Sequence, residues 1–232
     1  MPLRISLKIT VIMKRAVKSK FKAVLFDMDG ILIDSMPYHF ISWFEALRQY
    51  DIRVTPMDIF AMEGAKWDKV IRFAFKRDKK KLQADLIEKI CAQRNVLMKK
   101  YFKRYVFAQI PMILGILKKR GFLTAIVTGS SLKEAEKMLP ANIYSMFDIA
   151  VAGDMIKRSK PYPDPYLLAA RKLGVKTCEC LAVENAPYGI KSAKSAKMFC
   201  VAVATSLPEQ YLKEASIIFK NHTELYKYIK NL

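Results

Sequence analysis

Histidine, cysteine and acidic residues are scarce in this 232-residue chain. Its only histidines are His39 and His222, which excludes an H-E-x-x-H zinc site and any site with several neighbouring histidine ligands. A Ser-His-Asp triad would have to use one of these two, and no G-x-S-x-G motif accompanies them. An enzyme with this sequence must therefore depend mainly on carboxylates, lysine and backbone amides.

The four cysteines are too few for a disulfide scaffold in a chain of this length. Cys178 and Cys180 are two positions apart, a spacing that fits neither a zinc-ligand pair nor a C-x-x-C redox motif. We therefore expect small buried or surface thiols in a reducing compartment, and a cytoplasmic location.

Long apolar runs are also lacking, since no stretch reaches 18 apolar residues, and no membrane span is predicted. Residues 1–20 read as a basic N-terminal extension without acidic residues. Its apolar residues alternate with polar ones, so it lacks the apolar core of a signal peptide. A short basic arm, a weak targeting signal and an over-extended start ahead of Met13 all remain possible interpretations of this segment.

Acidic residues number 21 against 41 lysines and arginines, which gives a formal net charge of +20. Such a charge is typical of nucleic-acid-binding proteins. The basic residues are scattered, however, and no zinc finger, RNP-like aromatic motif or basic heptad region accompanies them. We therefore favour a lysine-rich solvated surface that attracts anionic substrates, and expect a monomer with no nucleic-acid partner.

Hydrophobic residues make up 52% of the chain, which is enough for a well-filled core. Short apolar strands alternate with amphipathic helices after residue 20, a pattern that predicts an α/β fold with a parallel sheet covered on both faces. The predicted strands are Ala23–Phe26, Thr124–Thr128, Ile149–Ala152, Leu181–Glu184 and Cys200–Ala204. Residues 37–107 contain only helical periodicity, including a long run over 82–105, and predict an inserted helical domain between core segments 21–36 and 108–232.

Polar clusters follow the predicted strands, at the sheet edge where open α/β sheets bind ligands. Asp27 could act as a nucleophile on phosphorus, and Asp29 could protonate the leaving oxygen and then deprotonate the attacking water. Gly30 allows close backbone approach, and the hydroxyl and amides from Thr128 onwards could hold phosphoryl oxygens whose charge Lys160 neutralises. The predicted phosphate-binding residues are Met28, Gly30, Thr128, Gly129, Ser130 and Lys160.

Oxygen-bearing side chains in the same clusters predict a Mg²⁺ cofactor, because this ion takes one or two carboxylates together with water and phosphate. Glu184 and Asn185 offer such oxygens after the fourth predicted strand, and we include Asp27 and Asp29 in the predicted metal site. The metal would let the anionic Asp27 approach an anionic phosphate.

The sequence resembles the haloacid dehalogenase superfamily, and within it the beta-phosphoglucomutase-like branch. The matching stretches are FKAVLFDMDGILIDS (21–35), YHF (38–40), TAIVTGSS (124–131), KPYPDPYLLAA (160–170) and VENAPYGIKSAKSA (183–196). The resemblance implies a Rossmann-like core with an inserted four-helix-type cap, Mg²⁺ dependence and a small phosphorylated substrate. It also implies that Asp27 is the nucleophile, Asp29 the acid and base, Thr128 and Lys160 the phosphate holders, and Glu184-Asn185 the metal pair.

Two positions depart from the family pattern. Asn185 stands where an aspartate is usual, which removes one formal charge from the metal pair. An amide oxygen still ligates Mg²⁺, so we expect an active enzyme over a weakened or catalytically silent one. Trp67 stands about where the mutases carry an arginine, and this weakens a second phosphate site unless Lys66 substitutes as a point charge.

Four cap residues are predicted to face the substrate: His39, Gly64, Lys66 and Arg94. His39 matches a cap-hinge histidine of the mutases, although packing on a half-buried helix face beside Trp43 explains it equally well. The leading interpretation is a Mg²⁺-dependent phosphatase of a small phosphorylated metabolite that forms an aspartyl-phosphate. The alternatives are a sugar-phosphate mutase and, from other classes, a catalytically silent interaction module or a nucleic-acid-associated basic protein.

Overall fold

A parallel sheet lies at the centre of the computed structural model, which describes residues 21–232. The basic extension predicted at 1–20 lies outside the described residues. The strands are β1 (Ala23–Phe26), β2 (Leu123–Val127), β3 (Ile149–Val151), β4 (Cys180–Glu184), β5 (Phe199–Val203) and β6 (Ile217–Phe219). They pair in the order β3-β2-β1-β4-β5-β6, and every pairing is parallel.

Ten α-helices accompany the sheet within the described residues. They are α1 (Met36–Arg48), α2 (Pro56–Phe60), α3 (Trp67–Arg77), α4 (Ala84–Tyr101), α5 (Ile110–Lys119), α6 (Leu132–Met138), α7 (Ala141–Tyr144), α8 (Asp164–Leu173), α9 (Pro187–Ser195) and α10 (His222–Lys230). The prediction of an α/β fold with a parallel sheet is confirmed, and the five predicted strands agree with β1 to β5 to within one residue at each end. β6 was not predicted because its three apolar residues are too few to show a period.

Both faces of the sheet are covered, which explains why its strands are almost continuously apolar. Alternate residues of β1 point to opposite sides, so Val24 and Phe26 belong to one apolar cluster while Ala23 and Leu25 belong to another. Helices α5 and α10 cover the first cluster, and α8 and α9 cover the second. The carboxyl ends of β1, β2 and β4 consequently meet at one edge of a well-packed sheet.

Helices α1 to α4 lie between β1 and α5 in the chain and enclose an apolar cluster of their own. Trp43, Leu47, Ile71 and Ile90 are among its buried members. We call this four-helix unit the cap. It is the helical insertion implied by the family resemblance, whereas the exact domain bounds 21–36, 37–107 and 108–232 stay a prediction. No helix of residues 21–232 has both the length and the apolar character needed to cross a membrane.

Candidate active site

Asp27 and Lys160 form the centre of a buried polar cluster at the carboxyl edge of the sheet. Asp27 directly follows β1, and its N–H group donates to the carbonyl of Val183 at 3.0 Å, which fixes it beside β4. The Lys160 ammonium donates to Asp27 Oδ1 at 2.6 Å and to Glu184 Oε1 at 2.7 Å. The structure thus brings together a predicted nucleophile, a predicted phosphate holder and a predicted metal residue from distant parts of the chain.

The charges in this cluster depend strongly on one another. Burial by itself would lower the pKa of Lys160, but the attraction of Asp27 and Glu184 outweighs it and raises that pKa, so the ammonium stays charged. Burial raises the pKa of Asp27, and the neighbouring carboxylates Glu184 and Asp29 add to this effect while Lys160 opposes it. The carboxylates of Asp27 and Glu184 therefore share a single lysine, which leaves an excess of negative charge near Asp27.

Glu184 is held in place by a tyrosine for which the sequence predicted no role. Tyr166 is fully buried in α8 and donates its hydroxyl to Glu184 Oε1 at 2.6 Å. Gly189 leaves the space for this carboxylate, because a Cβ atom there would overlap both of its oxygens. Tyr166 lies inside the matching stretch KPYPDPYLLAA, but its position on the apolar face of a helix gave no indication of a polar partner.

Asp29 faces the cap rather than Lys160. The Ser35 hydroxyl donates to Asp29 Oδ1 at 2.5 Å, and His39 Nε2 lies 3.1 Å from the same oxygen. Burial would raise the pKa of Asp29, but the interactions with His39 and Ser35 outweigh it and lower that pKa. Ser35 was missed because it precedes a helix, where a serine usually caps the first turn; here its side chain makes no capping bond.

His39 joins Asp29 to Arg94. Arg94 Nη2 lies 2.6 Å from His39 Nδ1. The Arg94 Cζ atom lies over the Trp67 ring, 4.6 Å from the ring centre. His39 is only 6% exposed. It lines a small cleft between the cap and the core, together with Trp43, Trp67 and Ser130. It therefore belongs to a buried polar network and packs within α1, while its predicted substrate-facing role stays a prediction.

The predicted phosphate-binding residues surround Asp27 and include polar groups without protein partners. The amides of Met28 and Gly129 donate no hydrogen bond within residues 21–232, while the Thr128 hydroxyl accepts from the Ser130 amide at 3.1 Å. Gly30 has a φ of +79°, and a Cβ atom there would collide with the side chain of Asn185. Free amides beside a charged lysine suit phosphoryl oxygens.

The cap loop that contains Gly64 lies directly on this cluster. Gly64 has a φ of +81°, and a Cβ atom there would collide with the Lys160 side chain. Gly129 approaches the backbone of Gly64 from the other side. Lys66, in contrast, is exposed at the start of α3 and makes no ion pair within the described residues. The predicted substrate-facing role of Lys66 stays a prediction.

The oxygens near Asp27 fit a divalent cation. Asp27 Oδ2 and Asn185 Oδ1 are buried and have no hydrogen-bond partner in the described part of the chain, which is costly unless another group binds them. Both are oxygen donors of the kind that Mg²⁺ prefers, and the excess negative charge of the cluster favours a cation. Within residues 21–232 no three His, Cys, Asp or Glu side chains form a metal cluster. The side chains of Asp29 and Glu184 bind protein partners, and their predicted metal roles stay predictions.

Comparison with known proteins agrees with this geometry. Residues 24–203 match the family model of haloacid dehalogenase-like hydrolases. A beta-phosphoglucomutase from Clostridium difficile superposes with a TM-score of 0.79 over 90% of this chain and 96% of that chain, and its 22% identity supports the fold alone.

The relatives that are similar in sequence include a bacterial phosphatase and a longer plant protein. The fructose-1-phosphate phosphatase YqaB of Escherichia coli is 29% identical over 188 residues, which cover 79% of this chain and 97% of that protein. The chloroplastic protein SUPPRESSOR OF QUENCHING 1 of Arabidopsis thaliana is 31% identical over 84% of this chain, but the match spans only 19% of that longer protein.

The match to the family model covers the cap and the sheet except for β6 and the first residue of β1, and it includes every residue of the polar cluster described above. The family resemblance expected from the sequence is therefore confirmed, and with it an enzyme that acts on phosphomonoesters, with hydrolysis as the main reaction and a mutase as the alternative. The chain belongs to the haloacid dehalogenase-like hydrolase family.

Proposed function

We propose that this chain is a Mg²⁺-dependent phosphatase that hydrolyses a small phosphorylated metabolite, such as a sugar phosphate, through an aspartyl-phosphate. The contact between Lys160 and Asp27 carries the proposal, because it holds a carboxylate and a fixed positive charge at one buried point. A carboxylate in that position can attack phosphorus while the ammonium balances the charge of the phosphoryl oxygens.

In the first step, the Asp27 carboxylate attacks phosphorus and the ester P–O bond breaks. The electron pair of that bond goes to the leaving oxygen, and Asp29 supplies its proton. Asp29 is two residues from Asp27 and is oriented by Ser35 and His39, so it can donate a proton to a leaving oxygen on the cap side. The lowered pKa of Asp29 favours its carboxylate form, which is the form that the second step requires, so Asp29 acts as the acid only after it has taken up a proton.

In the second step, water attacks phosphorus in the aspartyl-phosphate and the bond to Asp27 breaks. Asp29 has lost its proton in the first step and takes one from the attacking water, which restores both carboxyl groups and releases inorganic phosphate. The amides of Met28 and Gly129 and the ammonium of Lys160 hold the phosphoryl oxygens throughout.

A bound Mg²⁺ would supply electrostatic stabilisation of the phosphoryl charge. Asp27 and Asn185 would hold it through the two buried oxygens that lack partners. The neutral amide of Asn185 contributes less attraction than a carboxylate, so we expect magnesium to bind more weakly here than at a site with two carboxylates.

Hydrolysis is favoured over a mutase reaction by the residues at the far end of the cleft. A mutase has to bind a second phosphate there, and Trp67 offers an aromatic ring instead of a guanidinium. The nearby Arg94 is buried, stacks on Trp67 and is bound to His39. One of the phosphatases among the relatives acts on fructose 1-phosphate according to its name, which makes ketose phosphates the first substrates to examine.

The test is release of inorganic phosphate from an aryl phosphate and from fructose 1-phosphate, with and without Mg²⁺. The Asp27→Asn variant serves as the blank, because it keeps the shape of the side chain and loses the nucleophile. Magnesium-dependent release that disappears in the variant supports the proposal. Release that is equal in both proteins contradicts it. Turnover of a hexose 1-phosphate only when its bisphosphate is added would favour the mutase.

A further inference from the structure

A small cleft separates the cap loop from the catalytic cluster. Its wall is formed by the cap residues Trp43, Met62, Glu63 and Trp67 together with Ser130 of the core. His39 also lines it, and through His39 the cleft leads to Asp29. An alcohol that leaves from phosphorus bound at Asp27 would therefore extend toward this cleft.

Glu63 is an ionisable side chain in the cleft that the catalytic steps do not use. Its Oε1 atom accepts from the Gly64 amide at 3.0 Å, whereas Oε2 accepts no hydrogen bond within residues 21–232. Burial raises the pKa of Glu63. The carboxylate is partly buried and has one oxygen without a protein partner, so a ligand in the cleft can donate a hydrogen bond to Oε2.

The neighbouring cations contact other groups, and only the buried Nε of Arg94 among their contacting ends has no hydrogen-bond partner within residues 21–232. Arg94 is bound to His39, and Lys160 is bound to Asp27 and Glu184. Lys66 is exposed and is not part of the cleft lining. Within the described residues, the far end of the cleft therefore combines an acidic group with aromatic and apolar walls, which is unfavourable for a second anionic group.

We propose that Glu63 is a specificity-determining residue that selects phosphate esters whose leaving alcohol carries hydroxyl donors and no negative charge. The selection has an attractive part, a hydrogen bond from a hydroxyl to Oε2, and a repulsive part, the like charge presented to a carboxylate or second phosphate. It rests on the proposed phosphatase function, since it concerns the leaving group of that reaction.

Two esters of equal length separate these effects. Glycerol 3-phosphate and 3-phosphoglycerate share the phosphate and the middle hydroxyl, and differ in having CH₂OH or a carboxylate at the far carbon. We expect kcat/KM to favour glycerol 3-phosphate by about tenfold, because a like-charge contact with a partly buried carboxylate is unfavourable. Assays at pH 8 address the ionised form of Glu63.

The Glu63→Gln variant should reduce this preference by about tenfold, mostly by improving KM for 3-phosphoglycerate, since glutamine keeps the size and removes the charge. The matched control is Glu88→Gln, which removes the same charge from an exposed position of the same cap and should leave the preference unchanged. A preference that is the same in wild type and Glu63→Gln overturns the proposal.

Binding to the Asp27→Asn protein separates this inference from the phosphatase function. Calorimetry with Mg²⁺ present should show tighter binding of glycerol 3-phosphate than of 3-phosphoglycerate, and adding Glu63→Gln should reduce the difference. That result without turnover in the wild type would contradict the phosphatase and keep the selective cleft. Equal binding of both esters, or binding of neither, overturns the role of Glu63.

Discussion

The contact between Arg94 and His39 determines which ring nitrogen of His39 carries the proton. A guanidinium can only donate hydrogen bonds, so its Nη2 atom, 2.6 Å from His39 Nδ1, makes that nitrogen an acceptor. The ring proton then lies on Nε2 and points at Asp29 Oδ1, 3.1 Å away. The cap thereby determines how the predicted acid and base of the core is oriented, through three buried side chains.

Removing the Arg94 guanidinium should therefore impair catalysis through Asp29. In Arg94→Met, which keeps much of the side-chain volume against Trp67, we expect kcat to fall by roughly 10-fold to 100-fold, the usual effect of losing an orienting partner. The low-pH limb of the pH–rate profile should also shift, because without Arg94 the hydrogen bond from His39 to Asp29 is no longer held in one arrangement. Steady-state kinetics from pH 5 to 9 measure both quantities.

Two further variants control for this effect. Arg94→Lys retains one donor and should recover part of the lost rate, while Arg72→Met removes an exposed arginine of α3 and should change nothing. A normal pH profile with a reduced kcat in Arg94→Met would indicate a purely structural role.

The sequence predicted the core of the site more completely than the cap, for a physical reason. Lys160 reaches the site from the loop before α8, whereas Asp27, Asp29, Thr128 and Glu184 lie at or just after strand ends, which parallel strands bring to one edge. Local sequence therefore determines their location.

The partners that tune these residues could not be predicted in the same way. Tyr166 and Arg94 act from helix interiors, where only the packing of distant helices decides which side chain they meet. β6 was missed because three residues do not establish a period. The departure at Trp67 was visible in the sequence, but its stacking on Arg94 depends on how α3 packs against α4.

Magnesium affinity should respond to position 185. Restoring a carboxylate in Asn185→Asp adds one negative charge beside Asp27 Oδ2, so we expect the dissociation constant for Mg²⁺ to fall by about tenfold or more. Asn185→Ala removes the oxygen and should raise it. Calorimetric titration of the free protein with MgCl₂ measures this without substrate. The control Asn142→Asp adds the same charge at an exposed position of α7; an equal effect of both variants would attribute the change to overall charge.

Lys160 should be important for stability as well as for phosphate binding. Lys160→Met leaves Asp27 and Glu184 buried without their counter-charge, and removing one partner of a buried pair costs about 3–5 kcal/mol. In the wild type the pKa of Lys160 is raised above its unfolded value of about 10.4, so its contribution is fully present below that pH and is lost only at higher pH.

In the Lys160→Met variant, the free energy of unfolding should also depend on pH on the acidic side. Burial already raises the pKa of Asp27, and the loss of Lys160 raises it further, so the folded variant binds a proton more readily than the unfolded chain. The destabilisation should consequently shrink between pH 8 and pH 5, as measured by urea unfolding. Combining Lys160→Met with Asp27→Asn should recover part of the lost stability at pH 8. A double variant less stable than Lys160→Met alone would contradict the ion pair.

Gly189 gives the most direct test of how the site is supported, because the residue touches Glu184 and no predicted catalytic side chain. A Cβ atom at Gly189 would overlap the Glu184 carboxylate, which has to move away from Lys160 and Tyr166. We expect Gly189→Ala to lower kcat/KM at least about tenfold and to reduce stability, since the displaced carboxylate stays buried without its partners. Gly115→Ala is the matched control, because Gly115 lies in α5 with open space around its Cβ position. Alanine there should stabilise the helix by about 0.5–1 kcal/mol and leave the kinetics unchanged. If both variants kept wild-type kinetics, Glu184 would not be the residue that positions Lys160.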